Sequence, residues 1–197
     1  MPGIKSQHKR KAFQSVIAHL FADKGYYATS MRDIARQLGI NQGSLYYYFK
    51  NKEEILFRLM DDAMDDALQT LERICESDLA PEEKLNRILH FYTRYYAGDQ
   101  HLLVLLVNEM DSLDRDYRTV LLRKQRRYVK LFESILSELA AQGRMKDIYP
   151  GVAAFAFFGM VHYTIKWYHE TGHVGLEGLS DIFLEIFTRG ILSTPPQ

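Results

Sequence analysis

Between positions 41 and 52 the chain gathers side chains with hydrogen-bonding tips: Gln42, Ser44, Tyr46 and Tyr47, with Gly43 among them. Amides and hydroxyls at the start of a short helix suit base edges in a groove, and tyrosine hydroxyls and rings suit phosphates and thymine methyls. Gly43 has no side chain to hold a duplex away. Arg32 and Lys52 flank this segment as phosphate neutralisers, and the basic run over residues 5–11 has the reach of an arm toward the neighbouring backbone or minor groove. A plainer role stays open for the same residues, since tyrosines on a helix commonly pack and Leu45 and Phe49 face inward.

The elements that must hold these side chains read as helices. Phe13, Val16, Ile17, Leu20 and Phe21 form one apolar stripe at helical spacing, and Gly25 stops it. Ser30-Met31-Arg32-Asp33 resembles a capping box with an acid in place of Glu or Gln. The short helix it opens turns Ile34, Ala35 and Leu38 inward and ends at Gly39. Asn41 caps the next, which runs to Phe49. Two short helices joined by a tight glycine turn, over about residues 30–49, are the layout of a helix-turn-helix, whose second helix enters the major groove. Asn51-Lys52-Glu53-Glu54 then caps a helix running to about residue 76. Further helices are expected at about 81–97, 100–111, 115–142, 151–169 and 179–192, with a frayed tail from residue 193. The expectation is an all-α chain of about nine helices: a three-helix head over residues 1–52 and a larger body over 53–197.

Charge divides the chain in the same way. Residues 1–60 carry ten Lys or Arg against four Asp or Glu, a formal +6, and the remainder carries a formal −6. A basic head on an acidic body suggests that only the head meets a polyanion. A lone cysteine, Cys75, excludes an internal disulfide framework and a multi-cysteine metal site, which fits a reducing cytoplasm. No apolar run reaches the roughly 18 residues of a membrane span, and no signal peptide is read at the start. Asp61, Asp62, Asp65 and Asp66 read as a solvated helix face, not as metal ligands. His162, His169 and His173 are too scattered in register for ligation, and no carboxylate pair or activated nucleophile accompanies them. Neither an enzyme, a metal site nor a cofactor is expected. A ligand carrier without a DNA role is the other rival class, and the basic, tyrosine-rich head argues against it.

Two runs carry a family resemblance. Residues 22–35 (Ala-Asp-Lys-Gly-Tyr-Tyr-Ala-Thr-Ser-Met-Arg-Asp-Ile-Ala) and 39–54 (Gly-Ile-Asn-Gln-Gly-Ser-Leu-Tyr-Tyr-Tyr-Phe-Lys-Asn-Lys-Glu-Glu) resemble the N-terminal signature of TetR/AcrR-type repressors. The likeness covers about residues 8–56 without a gap, and the Leu45-Tyr46-x-x-Phe49-x-x-Lys52 spacing is its most specific part. It implies DNA contacts at Met31, Asn41, Gln42, Gly43, Ser44, Tyr46, Tyr47, Tyr48 and Lys52. Tyr48 stands where many members carry His, and either side chain can donate to a phosphate. The resemblance further implies repression, a palindromic operator, and an effector pocket among the middle helices.

One helix reads few base pairs, so a pair of heads about 34–36 Å apart is expected. The last two helices have apolar faces beyond the needs of one chain. Phe155, Phe158, His162, Leu179, Ile182, Phe183, Ile186 and Phe187 are the candidates for a homodimer interface, and the resemblance implies an intermolecular four-helix bundle. For the effector, residues joining apolar bulk to a polar tip or lining it are Tyr92, Tyr96, Leu103, Leu106, Val107, Met110, Tyr128, Phe157, Val161, Thr164 and Trp167. The stretch Trp167-Tyr168-His169-Glu170-Thr171-Gly172, with Phe183, Phe187 and Arg189-Gly190, is similar to a C-terminal pattern of regulators of fatty-acid, steroid and aromatic-acid catabolism, many of which respond to CoA thioesters. Arg123 and Arg127 share a helix face and are shaped to hold the phosphates of an acyl-CoA. The alternatives are a basic stripe that only pairs with nearby acids, and an effector without CoA: a free fatty acid, an aromatic compound or a drug-like molecule.

Overall fold

The structure is a computed structural model that describes residues 4–193, with side chains from residue 13 onward. The side chains of the basic segment 5–11 and the tail beyond 193 lie outside the described residues. Among the described residues the elements are nine α-helices and two short 3-10 turns. They are α1 (Ile4–Lys24), α2 (Met31–Gln37), α3 (Gln42–Tyr48), α4 (Lys52–Glu76), α5 (Pro81–Ala97), α6 (Gln100–Asn108), α7 (Arg115–Ala141), α8 (Pro150–His162) and α9 (Leu176–Ile191), with 3-10 turns at Met110–Ser112 and Tyr163–Lys166. Extended pairing among the described residues is confined to one antiparallel bridge between Met145 and Leu192. None of their helices is long and apolar enough to cross a membrane.

The chain forms two compact units. Among the described residues, the first holds those up to Ala63 together with His101–Leu121, and the second holds Met64–Gln100 and those from Leu122 onward. The start of α4, α6 and the start of α7 belong to the first unit.

In the first unit the stripe on α1 buries Ile17 and Phe21, with Phe13, Val16 and Leu20 half-buried. Local chemistry sets the boundaries of α2 and α3. The Ser30 hydroxyl accepts from the Asp33 N–H at 3.2 Å, and the Asp33 carboxylate accepts from the Ser30 N–H at 3.0 Å, so the capping box is reciprocal. At the other end of α2 the Gly39 N–H donates to the Arg36 carbonyl and the Ile40 N–H to the Ala35 carbonyl. That is a Schellman ending, which needs a left-handed residue, and Gly39 has φ +66°. Asn41 caps α3, its Oδ1 accepting from the Ser44 N–H at 2.7 Å. Asn51 does the same for Glu54 at 2.8 Å, while the Glu54 carboxylate accepts the Lys50 N–H at 2.7 Å.

In the second unit α5 packs most intimately on α9 and also on α8. Leu85, Ile88, Leu89, Phe132, Leu136, Phe157 and Val161 are fully enclosed. Lys146 finishes α9: its N–H donates to the Ile191 carbonyl at 2.7 Å, and its ammonium donates to the Arg189 and Gly190 carbonyls. The helix expected over 151–169 is shorter, ending at His162 and tightening into a 3-10 turn through Lys166. Tyr163, Thr164 and Ile165 are β-branched or aromatic residues with weak helical preference, so propensity resists the break little. The last helix begins earlier than expected, at Leu176, after Gly175.

The caps make stability depend on acid. The Lys24 and Ser30 side chains beside Asp33 hold its carboxyl well below its ordinary 3.8, and the Lys50 N–H, with help from Arg58, holds Glu54 below 4.5. A carboxyl depressed in the folded state stabilises fully above its unfolded value, and that contribution fades as pH falls toward the folded one. Asp33→Asn is therefore expected to lower the melting temperature at pH 6, with the gap from wild type narrowing as the pH is taken from 6 to about 3. A gap independent of pH would show that the charge plays no part.

Candidate functional site

The first unit presents its tyrosine-bearing helix outward. Tyr47 is 84% exposed, Tyr48 is more than half exposed and Tyr46 is half exposed. The ring of Tyr47 meets that of Tyr48 edge-on at 5.2 Å. Gln42 and Gly43 are exposed at the start of α3, beside Asn41, while Leu45 is buried and fixes which way the helix faces. The outward side of α3 is a surface of amide, backbone and phenol groups, with Arg32 exposed on α2. Half-buried Ser44 gives its backbone N–H to the Asn41 cap. Asn41 thus sets the start of α3 as well as standing at its exposed edge.

Two of the expected contacts are placed differently. Met31 is buried in the core of the unit at 9% exposure, because it lies on the same face of α2 as buried Ile34 and Ala35, three and four residues on. Lys52 is not a free cation for phosphates. Its ammonium donates to the carbonyls of Tyr26 at 2.8 Å, Thr29 at 3.0 Å and Tyr27 at 3.1 Å, and lies 4.5 Å from the centre of the Tyr26 ring. All three of its donors are used. Partial burial pushes the ammonium below the ordinary lysine range, against the pull of Glu109, and burial with Glu53 nearby pushes the Tyr26 phenol up to about 12. Lys52 therefore ties the start of α4 to the α1–α2 connection and positions α3 between them.

Reasoning from sequence passed over Arg36 and Tyr27. The Arg36 guanidinium is largely exposed one turn beyond Arg32, a spacing that a search for a basic helix face would have found. Tyr27 is exposed beside the buried Tyr26, and no local pattern distinguishes the two.

The second unit concentrates a different chemistry. Tyr92, Tyr96 and Tyr128 are buried around Phe157, Phe158 and the half-buried His162. The Tyr92 ring lies 5.0 Å from Phe158, 5.4 Å from Tyr128 and 5.8 Å from Phe157. The Tyr92 hydroxyl and His162 Nε2 are 2.7 Å apart. The Tyr128 hydroxyl and Thr93 Oγ1 are buried with no hydrogen-bond partner within the protein. Burial pushes Tyr92, Tyr96 and Tyr128 up and His162 down, so the cluster is uncharged near neutral pH. Val161 and Thr164 are buried nearby in sequence, and the Thr164 hydroxyl donates to the Val161 carbonyl at 2.6 Å.

The other candidates for a pocket are placed as follows. Leu103, Leu106, Val107 and Met110 fall in the first unit, and Val107 is exposed. Trp167 is half-exposed, its ring against Phe183 at 6.4 Å, because the 3-10 turn carries it off the α8 face. Arg123 is exposed, and Arg127 is held by Glu72 at 2.6 Å.

The α8 and α9 residues separate into two sets. Phe158, Leu179, Phe183 and Phe187 are buried within the chain's own core, and half-buried His162 is engaged with Tyr92. Phe155, Ile182 and Ile186 are exposed, Phe155 by 62%. Val152 and Tyr163 are exposed as well, and a Cβ at Gly159 would meet nothing within 4 Å. Val152, Phe155, Gly159 and Tyr163 recur at helical spacing, so α8, apolar around its circumference, has one uncovered side.

Family models match both the N-terminal and the C-terminal parts of the chain. A family model described as "Bacterial regulatory proteins, tetR family" matches residues 15–59, and "Tetracyclin repressor-like, C-terminal domain" matches residues 78–191. The chain is 26% identical over 190 residues to the fatty acid metabolism regulator protein of Bacillus subtilis (strain 168), covering 94% of this chain and 98% of that protein. It is similar to the crystal structure of AibR in complex with isovaleryl coenzyme A and operator DNA, at TM-score 0.80 and 27% identity, over 90% of this chain and 97% of that one. It is also similar to FadR from Bacillus subtilis in complex with stearoyl-CoA, at TM-score 0.73 and 25% identity, over 92% and 98%.

The geometry separates two kinds of variant. Tyr47→Ala is expected to weaken operator binding in a gel-shift titration and leave the melting temperature unchanged. Lys52→Met is expected to cost about 2 kcal/mol of stability, the order of a charge-assisted hydrogen bond network lost. It should leave the slope of log affinity against log salt unaltered, whereas a lost phosphate contact would reduce that slope by about 0.9. A reduced slope with full stability would return Lys52 to the phosphate backbone.

Proposed function

From the premise that this chain belongs to the TetR family of bacterial regulatory proteins, we propose that it is a repressor released from a palindromic operator when an acyl-CoA thioester enters its second unit. Exposed Tyr46, Tyr47, Tyr48, Gln42 and Gly43 read the major groove, and Arg32 contributes charge to the phosphates. The protein acts where its operator is, in the cytoplasm, and the part played by its helices is binding, not turnover.

One observation carries the ligand reading: the Tyr128 hydroxyl is buried without a partner while its ring lies among those of Tyr92 and Phe158, and Thr93 Oγ1 on α5 is likewise buried and unpartnered. Leaving a hydroxyl in that condition costs about 1–3 kcal/mol. A ligand that brings a carbonyl acceptor on an apolar chain recovers that cost, and a thioester is such a ligand. The rings around Tyr92 are in contact, so an acyl chain entering among them must part them. The packing that suits the ligand then differs from the packing described here, which is what a switch requires: a ligand shifts an equilibrium only through unequal affinity for the two states. The crystal structures of AibR with isovaleryl coenzyme A and of FadR with stearoyl-CoA support the choice of thioester.

A second reading, a free fatty or aromatic acid, is favoured by the pairing of Arg127 with Glu72, which occupies the side chain best shaped for CoA phosphates. Calorimetric titration with matched acid and thioester pairs separates the two. Equal affinity for both would remove the CoA requirement. Tyr128→Phe is expected to weaken the thioester about tenfold, the loss of one hydrogen bond, while raising the melting temperature because an unpaired hydroxyl is gone. Unchanged affinity would move the carbonyl site elsewhere.

The exposed side of α8 and α9 is the proposed homodimer face. In a two-fold interface each residue counts twice, so Phe155→Glu combined with Ile186→Glu is expected to yield monomers in sedimentation velocity at micromolar concentration. A dimer that persists would place the interface elsewhere.

A further inference from the structure

We propose that His19, Asp23 and His101 form a binding site for one divalent transition-metal ion of the zinc, cobalt or nickel type, clasping α6 to α1 within the first unit. His19 and Asp23 stand four residues apart on α1, so both point from the same helix face. The first turn of α6 brings His101 to that face: its Nε2 is 3.6 Å from Asp23 Oδ1, and its ring stacks on that of His19 at 3.6 Å between centroids. One ligand atom from each residue lies within 4.8 Å of the others.

A tetrahedral site with bonds of about 2.0–2.2 Å needs neighbouring ligand atoms about 3.3–3.6 Å apart. The remaining distance is within reach of a rotamer change, because His19 and Asp23 are exposed and their side chains are not held by the core. The same exposure gives an ion its entry path and leaves the fourth position to water. The donor set selects the metal. Two imidazole nitrogens and one carboxylate oxygen suit zinc, cobalt or nickel, whereas magnesium and calcium take oxygen ligands and copper(I) takes sulfur.

An ordinary ion pair does not account for the arrangement. Asp23 is largely exposed, and a surface pair at 3.6 Å contributes little. Nor does core packing require two imidazoles face to face beside a carboxylate. A chelate between residues 19 and 101 joins parts of the chain far apart in sequence, so the ion stabilises the first unit as a cross-link does.

The test uses the full-length protein without a histidine tag. Cobalt(II) is titrated in and its visible d–d bands followed, and thermal unfolding is compared with added zinc and with magnesium. One cobalt per chain is expected, with a melting temperature raised by zinc and not by magnesium. His19→Ala, at an exposed position, should weaken cobalt at least tenfold and abolish the zinc-induced shift, and His101→Gln should do the same. Cys75→Ser should leave both unchanged. Absence of a cobalt spectrum in the wild type, equal stabilisation by magnesium, or full binding by His19→Ala would overturn the site.

Discussion

Three carbonyls at the α1–α2 connection, those of Tyr26, Tyr27 and Thr29, converge on one point, and the Lys52 ammonium answers all of them. A charged group drawn partly out of water must spend its donors inside the protein, and here the number of donors equals the number of acceptors. Because Lys52 opens α4, the bond set ties the chain on either side of α2 and α3 to a single place. The helix-turn-helix is held at both ends, its internal turn is closed by the left-handed Gly39, and little freedom is left to the direction in which α3 faces. Affinity for a duplex then loses less to ordering of the protein, which is why a buried-side cation serves this surface better than another phosphate contact would.

The second unit rests on an opposite choice. Its α5–α8 core is aromatic, and aromatic residues give large buried area with few rotatable bonds. Yet three of its side chains are phenols and one an imidazole, when phenylalanine would pack as well without the cost of desolvating a hydroxyl. The Tyr92–His162 pair meets part of that cost, and Tyr128 and Thr93 leave part unmet. Stability withheld from the protomer in this way is available to a ligand, and the free energy that a regulator needs for switching has to come from such a difference.

The uncovered side of α8 shows the same economy at the surface. Phe155 and Val152 stand in water in the single chain while their neighbours Phe157 and Phe158 close the core. A contiguous apolar face of this kind costs a monomer solubility and gives an assembly its contact area. Gly159 leaves room there for close approach of another backbone.

Much of the architecture was legible in the sequence because it is decided by neighbours. The capping residues Ser30, Asn41 and Asn51, the stop at Gly39 and the spacing of Leu45, Phe49 and Lys52 each act within a turn or two, so helix order and the helix-turn-helix could be read directly. The outward tyrosines followed from the inward Leu45. What the sequence left open depended on partners distant along the chain. Lys52 reads as a surface cation until three carbonyls some 25 residues earlier are seen around it. Phe155 and Phe158 look alike on a helix that is apolar all round, and only the positions of α5 and α9 decide which is core and which is face. His101 becomes a neighbour of His19 only after α6 folds against α1. Periodicity and capping are local properties, whereas the burial of a given side chain and the pairing of its polar atoms are set by which remote segment fills the space beside it.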